Sequence, residues 1–263
     1  MAKSRNKKKT YRRRRGLRLL YLLMSFILIV SAILVSCVFF FRVEEIQILG
    51  NTRYSNEQVL TVANIGAEAN LFLLPRTAIE KRISDSMPYV DSVNLKNKYP
   101  STLILEIQEC IPLAAFRTDN GYWLMDAGGK VLEQVDESIA SSLIQVEGVS
   151  LLDPKVGQVA QVPDETKGKF QALCALLGSL QEHEIAADVS WIDMSGDTDI
   201  EMGYLGRFTV RLPLRTEHSA TEQGSEIYSL KIEALKKIVS QYLGETDRGI
   251  IDLWEDKGFF RPR

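Results

Sequence analysis

The sequence predicts an α+β protein in which a single N-terminal transmembrane helix carries two mixed domains of strands and helices. Three observations predict it. One stretch, Leu19 to Phe41, runs for 23 residues without a charge. The segment after it alternates apolar and polar residues in short runs, in the order strand, helix, helix, strand, strand. A second set of short strands then follows, interrupted by two long stripes of helical period.

The uncharged run is long enough to cross a bilayer. At about 1.5 Å per residue it spans roughly 35 Å as a helix, against roughly 30 Å of hydrocarbon. It contains neither Pro nor Gly, so every backbone group inside it can be satisfied within the helix. Ten basic residues and no acid lie between Met1 and Leu20, which predicts a cytoplasmic tail at 1–18. The remainder holds 22 basic and 34 acidic residues, a formal charge of −12, so the overall value of −2 hides two segments of opposite character. The tail suits anionic lipid headgroups. It lacks the interleaved aromatics of a nucleic-acid arm, and no nucleic acid is expected as a partner. Two alternatives compete with a retained anchor. A cleaved signal peptide has an apolar core of about 7–15 residues, shorter than this one. A lipoprotein signal is suggested by Leu34, Val35, Ser36 and Cys37, but Val38 to Phe41 continue the apolar run past that cysteine. Cys110 and Cys174 are too few and too far apart for a disulfide framework and read as buried filler.

The first outer unit, 42–110, begins at the membrane. Ile46 and Ile48 alternate with Glu45 and Gln47 as a half-buried strand, and Gly50-Asn51 ends it. Ser55 followed by Gln58 reads as a capping box that opens a helix through Val59, Leu60 and Ala63. Pro75 suits a first helical turn, Ile79 and Ile83 mark one face of a second helix, and Pro88 closes it. Val93 and Leu95, then Leu103, Leu105 and Ile107, form two strands joined at Tyr99-Pro100.

The second unit, 111–254, opens with strands at Leu113 to Phe116, Tyr122 to Met125 and Val131 to Val135, with a Gly128-Gly129 turn between the last two. Val146 to Pro163 reads as loop. A helix from about Thr166 to Glu182 is followed by strands at Asp188 to Met194, Asp199 to Gly203 and Phe208 to Leu212. A polar loop, Arg215 to Ser225, leads to a second long helix with Ile227, Leu230, Ala234 and Ile238 on its buried face. Gly249 to Trp254 gives the last strand, and 255–263 a C-terminal tail.

No motif for a reaction is present. His183 and His218 have no partner at ligand spacing, and HExxH, CxxC, GxSxG and phosphate-loop patterns are absent. The acid pairs, such as Glu44-Glu45 and Asp136-Glu137, fall on strands and loops as solvated charge. Catalytic residues, metal ligands and cofactors are all expected to be none, and the outer units are expected to bind other proteins.

In order and in local sequence the chain resembles the FtsQ/DivIB family of bacterial cell-division proteins. Tyr54-Ser55-Asn56-Glu57-Gln58-Val59, Asn70-Leu71-Phe72, Pro88-Tyr89-Val90 and Tyr99-Pro100-Ser101-Thr102-Leu103 with Glu109 are similar to its first outer module. Tyr122 to Gly129 resembles the first hairpin of its β domain, and Gly249 to Leu253 its last strand. Cys110 departs from the arginine usual after the closing glutamate. The loop from Arg215 to Ser225 and the C-terminal end depart as well. The resemblance implies a POTRA domain, the polypeptide-transport-associated module, followed by a β domain. It also implies a non-enzymatic scaffold at the division septum of the plasma membrane. Its implied partners are FtsB/DivIC-like and FtsL-like bitopic proteins, together with a septal wall synthase. A final strand at a sheet edge can accept a strand from another chain. Ile251, Leu253, Trp254, Glu255, Gly258, Phe259 and Phe260 are therefore the expected partner-binding residues, with Leu19 to Phe41 as the span. Arg42 to Gln47 offers a second free edge or a simple stalk. Two other functions stay in view: a POTRA-type transport or assembly factor, and a membrane-anchored wall enzyme with an unrecognised site.

Overall fold

The computed structural model describes residues 7–66, 68–118, 121–214, 222–254 and 258–262. They form a mixed α+β protein in two compact units. One holds the described residues up to Arg82 together with Val93–Ile107, and the other holds Ile83–Ser92 together with the chain from Gln108 onward.

Helix α1, Lys7–Phe40, contains the apolar run. Its described side chains from Leu20 to Phe40 are exposed apart from Cys37, as befits a surface made for lipid rather than for a protein core. Strand β1, Glu45–Leu49, follows within a few residues. Helix α2, Asn56–Ala63, starts at the expected capping box: the Gln58 amide donates to Ser55 Oγ at 3.2 Å, and the Ser55 amide donates to Gln58 Oε1 at 2.9 Å. Asn64 closes it in the left-handed region at φ 46. Helix α3, Arg76–Ser86, starts right after Pro75 and stops two residues before Pro88. Strands β2, Val90–Lys98, and β3, Thr102–Glu109, complete a three-stranded sheet in the order β1-β3-β2. β1 runs parallel to β3, with Ile46 opposite Leu103 and Ile48 opposite Leu105. Val59, Ala63, Ile79, Leu95, Leu103 and Leu105 are buried, which are positions set by the two periods of the sequence, and Leu71 of the inter-helix segment is buried with them.

The second unit is built on one nine-stranded sheet. Its strands are β4, Ala114–Thr118; β5, Gly121–Met125; β6, Val131–Val135; β7, Ile144–Glu147; β8, Val189–Asp193; β9, Asp199–Tyr204; β10, Phe208–Pro213; β11, Gly249–Asp252; and β12, Phe259–Pro262. The order across the sheet is β12-β11-β10-β9-β8-β7-β4-β5-β6. Helix α4, Glu137–Ala140, is a single turn before β7. Helices α5, Lys167–Glu182, and α6, Glu222–Tyr242, contribute Phe170, Leu173, Leu176, Leu177, Leu180, Tyr228, Ile232 and Leu235 to the core beside Ile192, Ile200, Met202, Val210, Leu212 and Ile251. The segment Ile83–Ser92 belongs to this unit. The Cys110 amide donates to Tyr89 O at 2.8 Å, Tyr89 Oη donates to the Glu133 carboxylate, and Lys130 Nζ donates to Val90 O at 2.7 Å.

Several elements differ from expectation. Strand β7 lies in the segment just before the predicted loop and overlaps its start, because its partners β4 and β8 come from distant parts of the chain. The buried face of α6 is Tyr228, Ile232 and Leu235, while Leu230 is 60% exposed. Both stripes fit a 3.6-residue period, and the bulkier one, whose Tyr228 hydroxyl reaches Pro213 O at 3.2 Å, is turned inward. α6 begins at Glu222, inside the predicted polar loop; His218 and the rest of 215–221 lie outside the described residues. Phe259–Pro262, expected as tail, form β12, and β11 is therefore an interior strand rather than the edge.

Candidate functional site

The exposed end of the large sheet is the candidate site. β12 pairs antiparallel with β11, with Phe259 opposite Asp252, Phe260 opposite Ile251, Arg261 opposite Ile250 and Pro262 opposite Gly249. No strand flanks its other side among the described residues. Alternation along the strand gives its two aromatics different tasks. Phe260 turns inward and meets Phe208 edge to face, with ring centroids 6.1 Å apart. Phe208 in turn lies 4.5 Å below the Arg207 guanidinium, which is held by Gly244 O at 2.6 Å. Phe259 points outward and is 53% exposed. Arg261 reaches Asp252 at 3.8 Å, a long pair with only the arginine exposed, in the usual ~0–1 kcal/mol range.

The expected partner-binding residues thus separate. Ile251 and Leu253 are buried at 0% and 1% and hold β11 in the core; they offer no side-chain surface. Trp254 is 44% exposed in the turn that follows, its amide donating to Asp252 Oδ1 at 3.1 Å. Gly258 packs so closely that a Cβ there would come within 2.3 Å of Ile238 Cδ1. Phe259 and the outer edge of β12 present the surface, with Phe260 as their support. Glu255 lies outside the described residues. What the sequence does not show is Phe208 and Arg207 bracing the strand from behind, because that contact exists only once β12 has formed.

His183 Nε2 lies 2.8 Å from Ser229 Oγ, the spacing of a base and nucleophile. Glu182, however, approaches Ser229 at 3.5 Å rather than bonding to the imidazole, so the third group does not orient the base. The set ties α5 to α6, as does Lys236 Nζ on His183 O at 3.0 Å. Asp91, Cys110 and Asp126 bring one donor atom each to within 4.8 Å of one another. Burial first, then hydrogen bonding to Asp126, push the Cys110 thiol up to about 12, and Lys130 acts the other way. A thiol protonated at neutral pH is a weak nucleophile, so the arrangement supports a buried S–H to carboxylate hydrogen bond. Cys174 is likewise pushed up to about 12, by burial and then by the charge of Asp126.

The fold and its exposed edge define a class: a protein with one apolar N-terminal helix that fits a transmembrane span, a small β-α-α-β-β domain and a large β domain. Residues 41–109 match the family described as POTRA domain, FtsQ-type. The chain is 27% identical to the cell division protein FtsQ of Syntrophotalea carbinolica over 219 residues, 81% of this chain and 70% of the relative. It is 28% identical to the cell division protein DivIB of Clostridium tetani over 136 residues, 51% of each. Against the DivIB of Clostridium botulinum strain Hall it is 24% identical over 231 residues, 87% of this chain and 88% of the relative. Together with the fold, these matches make the chain similar over most of its length to the cell division proteins FtsQ and DivIB, with an FtsQ-type POTRA domain at residues 41–109.

Proposed function

We infer that the protein is a non-enzymatic scaffold of the division machinery. Its tail faces the cytoplasm, its two domains face outward at the septum, and FtsB/DivIC-like and FtsL-like bitopic proteins dock on it, so that it helps control septal peptidoglycan synthesis. The observation that carries this reading is the outer edge of β12. Four residues of strand, braced by Phe260 on Phe208 and carrying an exposed Phe259, present to an incoming strand an edge that no other strand flanks among the described residues. Aromatic anchors of this kind are enriched at interface hot spots.

The test uses the full chain and its FtsB/DivIC-like partner. Deleting 258–262 or introducing Phe259→Lys removes co-purification while leaving the outer domains folded by circular dichroism. Retained co-purification removes β12 as the docking strand. Depletion in the host, with a fluorescent fusion imaged in parallel, gives septal signal and filamentous or chained cells. Uniform membrane signal with normal division counts against the scaffold reading.

A further inference from the structure

The apolar run ends at Phe41, and the next domain is fastened to that end by its backbone and by the Asn70 side chain. Asn70 Nδ2 donates to Cys37 O at 3.3 Å, the Leu71 amide donates to Phe41 O at 2.9 Å, and the Val43 amide donates to Ala69 O at 2.8 Å. Asn70 Oδ1 also accepts from the Phe72 amide at 2.9 Å, which shapes the loop 70–73 against the last helical turn. Arg42 and Asn70 bridge as a short antiparallel contact. These bonds set the loop at the level where the span leaves the hydrocarbon.

Three rings from three parts of the chain meet there. Phe41 contacts Phe72 edge to face at 4.9 Å and Tyr99 edge to face at 5.7 Å, and Phe72 stacks on Tyr99 at 5.6 Å and 26°. The cluster is not buried. Phe72 is 57% exposed, Leu73 73% and Tyr99 56%, and beside them Phe39 and Phe40 are 64% and 65% exposed. A contiguous apolar surface of this kind marks something that covers it. Of the three rings, Tyr99 combines an apolar body with a polar tip, the kind of ring that concentrates at the headgroup level of membranes. Cations stand beside the rings: Arg42 lies 5.1 Å over the Phe39 ring and 3.8 Å from the Glu68 carboxylate, and exposed Lys98 precedes Tyr99.

We propose that the end of the POTRA domain next to α1 is itself a lipid-binding surface, with Phe72, Leu73 and Tyr99 seated in the headgroup–acyl boundary beside Phe39 to Phe41. The patch is continuous with α1, whose flanks at that height must meet acyl chains, and this favours lipid over a protein as its occupant. The seat gives the domain a second point of attachment. The span alone leaves rotation about the helix axis free, whereas three side chains on one side of it fix which strands face the membrane. The inference rests on α1 being a membrane span, and the test separates the two.

Full chain is reconstituted in phosphatidylcholine vesicles whose acyl chains carry bromine at shallow or deep carbons. Tryptophan fluorescence of single variants is compared with the parent, whose Trp123, Trp191 and Trp254 give the baseline. Ile29→Trp reports the middle of the span, Phe72→Trp the proposed seat, and Leu49→Trp the end of β1 remote from α1. Tyr99→Trp reads the same seat from a second loop. The expected result is strong quenching of Ile29→Trp by deep bromines. Phe72→Trp and Tyr99→Trp should be quenched at least twofold more than Leu49→Trp by shallow ones. Quenching of Ile29→Trp with Phe72→Trp and Tyr99→Trp at the Leu49→Trp level overturns the seat and assigns the patch to water or to a partner's helix. Absence of quenching at Ile29→Trp overturns the span and the seat with it.

Discussion

Gly249 is the most selective lever on the candidate edge. It opens β11 opposite Pro262, outside the left-handed region, so a side chain there meets a contact problem rather than a backbone one. A Cβ would stand 2.1 Å from Arg261 O and 3.0 Å from its carbonyl carbon, both backbone atoms of β12. Relieving the oxygen contact requires β12 to retreat by about 1 Å, which takes N–H···O bonds of ~2.9 Å beyond bonding range. Two or three ladder hydrogen bonds at about 1 kcal/mol each and part of an aromatic pair at ~0.5–1.5 kcal/mol are then lost, about 2–4 kcal/mol in all. Because β12 ends the sheet, the loss falls on local opening and not on the core. Gly249→Ala should therefore lower native-state hydrogen-exchange protection of the amides between β11 and β12 by about 30–1000-fold, at ~1.4 kcal/mol per tenfold. The urea midpoint of the large domain should fall by no more than the same ~2–4 kcal/mol divided by the denaturant slope, with the domain still folded in water. Unchanged protection would show that β12 is not held as described, and wholesale unfolding would show that the edge is part of the core.

Three further outcomes follow from other contacts. Tyr228 is fully buried and donates to Pro213 O, so Tyr228→Phe leaves that carbonyl without this donor and should lower the urea-derived stability by about 1–2 kcal/mol with an unchanged slope. Cys110 and Cys174 both sit near 12 in the folded chain against a usual value of 9.0. Between those values the unfolded chain holds fewer protons, so stability should fall as pH rises from 9 towards 12; Cys110→Ala with Cys174→Ala should flatten that decline in a pH series of thermal melts. Partner capture should distinguish the two ends of the large sheet: Phe259→Lys on β12 should abolish it, while Gln134→Lys on the exposed side of β6 should leave it intact. Equal loss from both would mean that neither edge is the specific one.

What was legible in the sequence was what local chemistry decides. The capping box at Ser55, the stop before Pro88 and the period-2 alternation of Leu103, Leu105 and Ile107 each need only near neighbours, and each is where the sequence puts it. β12 was not legible, because Phe259-Phe260-Arg261-Pro262 is too short for a period and ends in a residue that strands disfavour. It exists as a strand because β11 offers it a partner. The same non-locality moved Ile251 and Leu253 from candidate surface to core: a strand's alternation says which residues share a face, not how many neighbours the strand has. For α6 the pattern offered two stripes, and only the packed sheet chose between them.

The two ends of the nine-stranded sheet are treated differently by the chain, and this difference bears on docking. At β6 the protein covers part of its own edge. The Val131 amide donates to Gln158 O at 2.9 Å, Val131 O accepts from the Gly157 amide at 2.8 Å, and Lys130 bridges Val159. A loop laid along an edge strand in this way is a common protection against unwanted pairing. At β12 the described residues include no such cover, and the outward positions carry the exposed Phe259 beside the exposed Arg261. Pro262 limits the run at one end, so an incoming strand must register against a short segment rather than slide along a long one. An edge that is short, braced from behind and led by an exposed aromatic combines the backbone pairing of a sheet with a single fixed register. Those are the properties a docking strand needs if it is to select one partner and hold it.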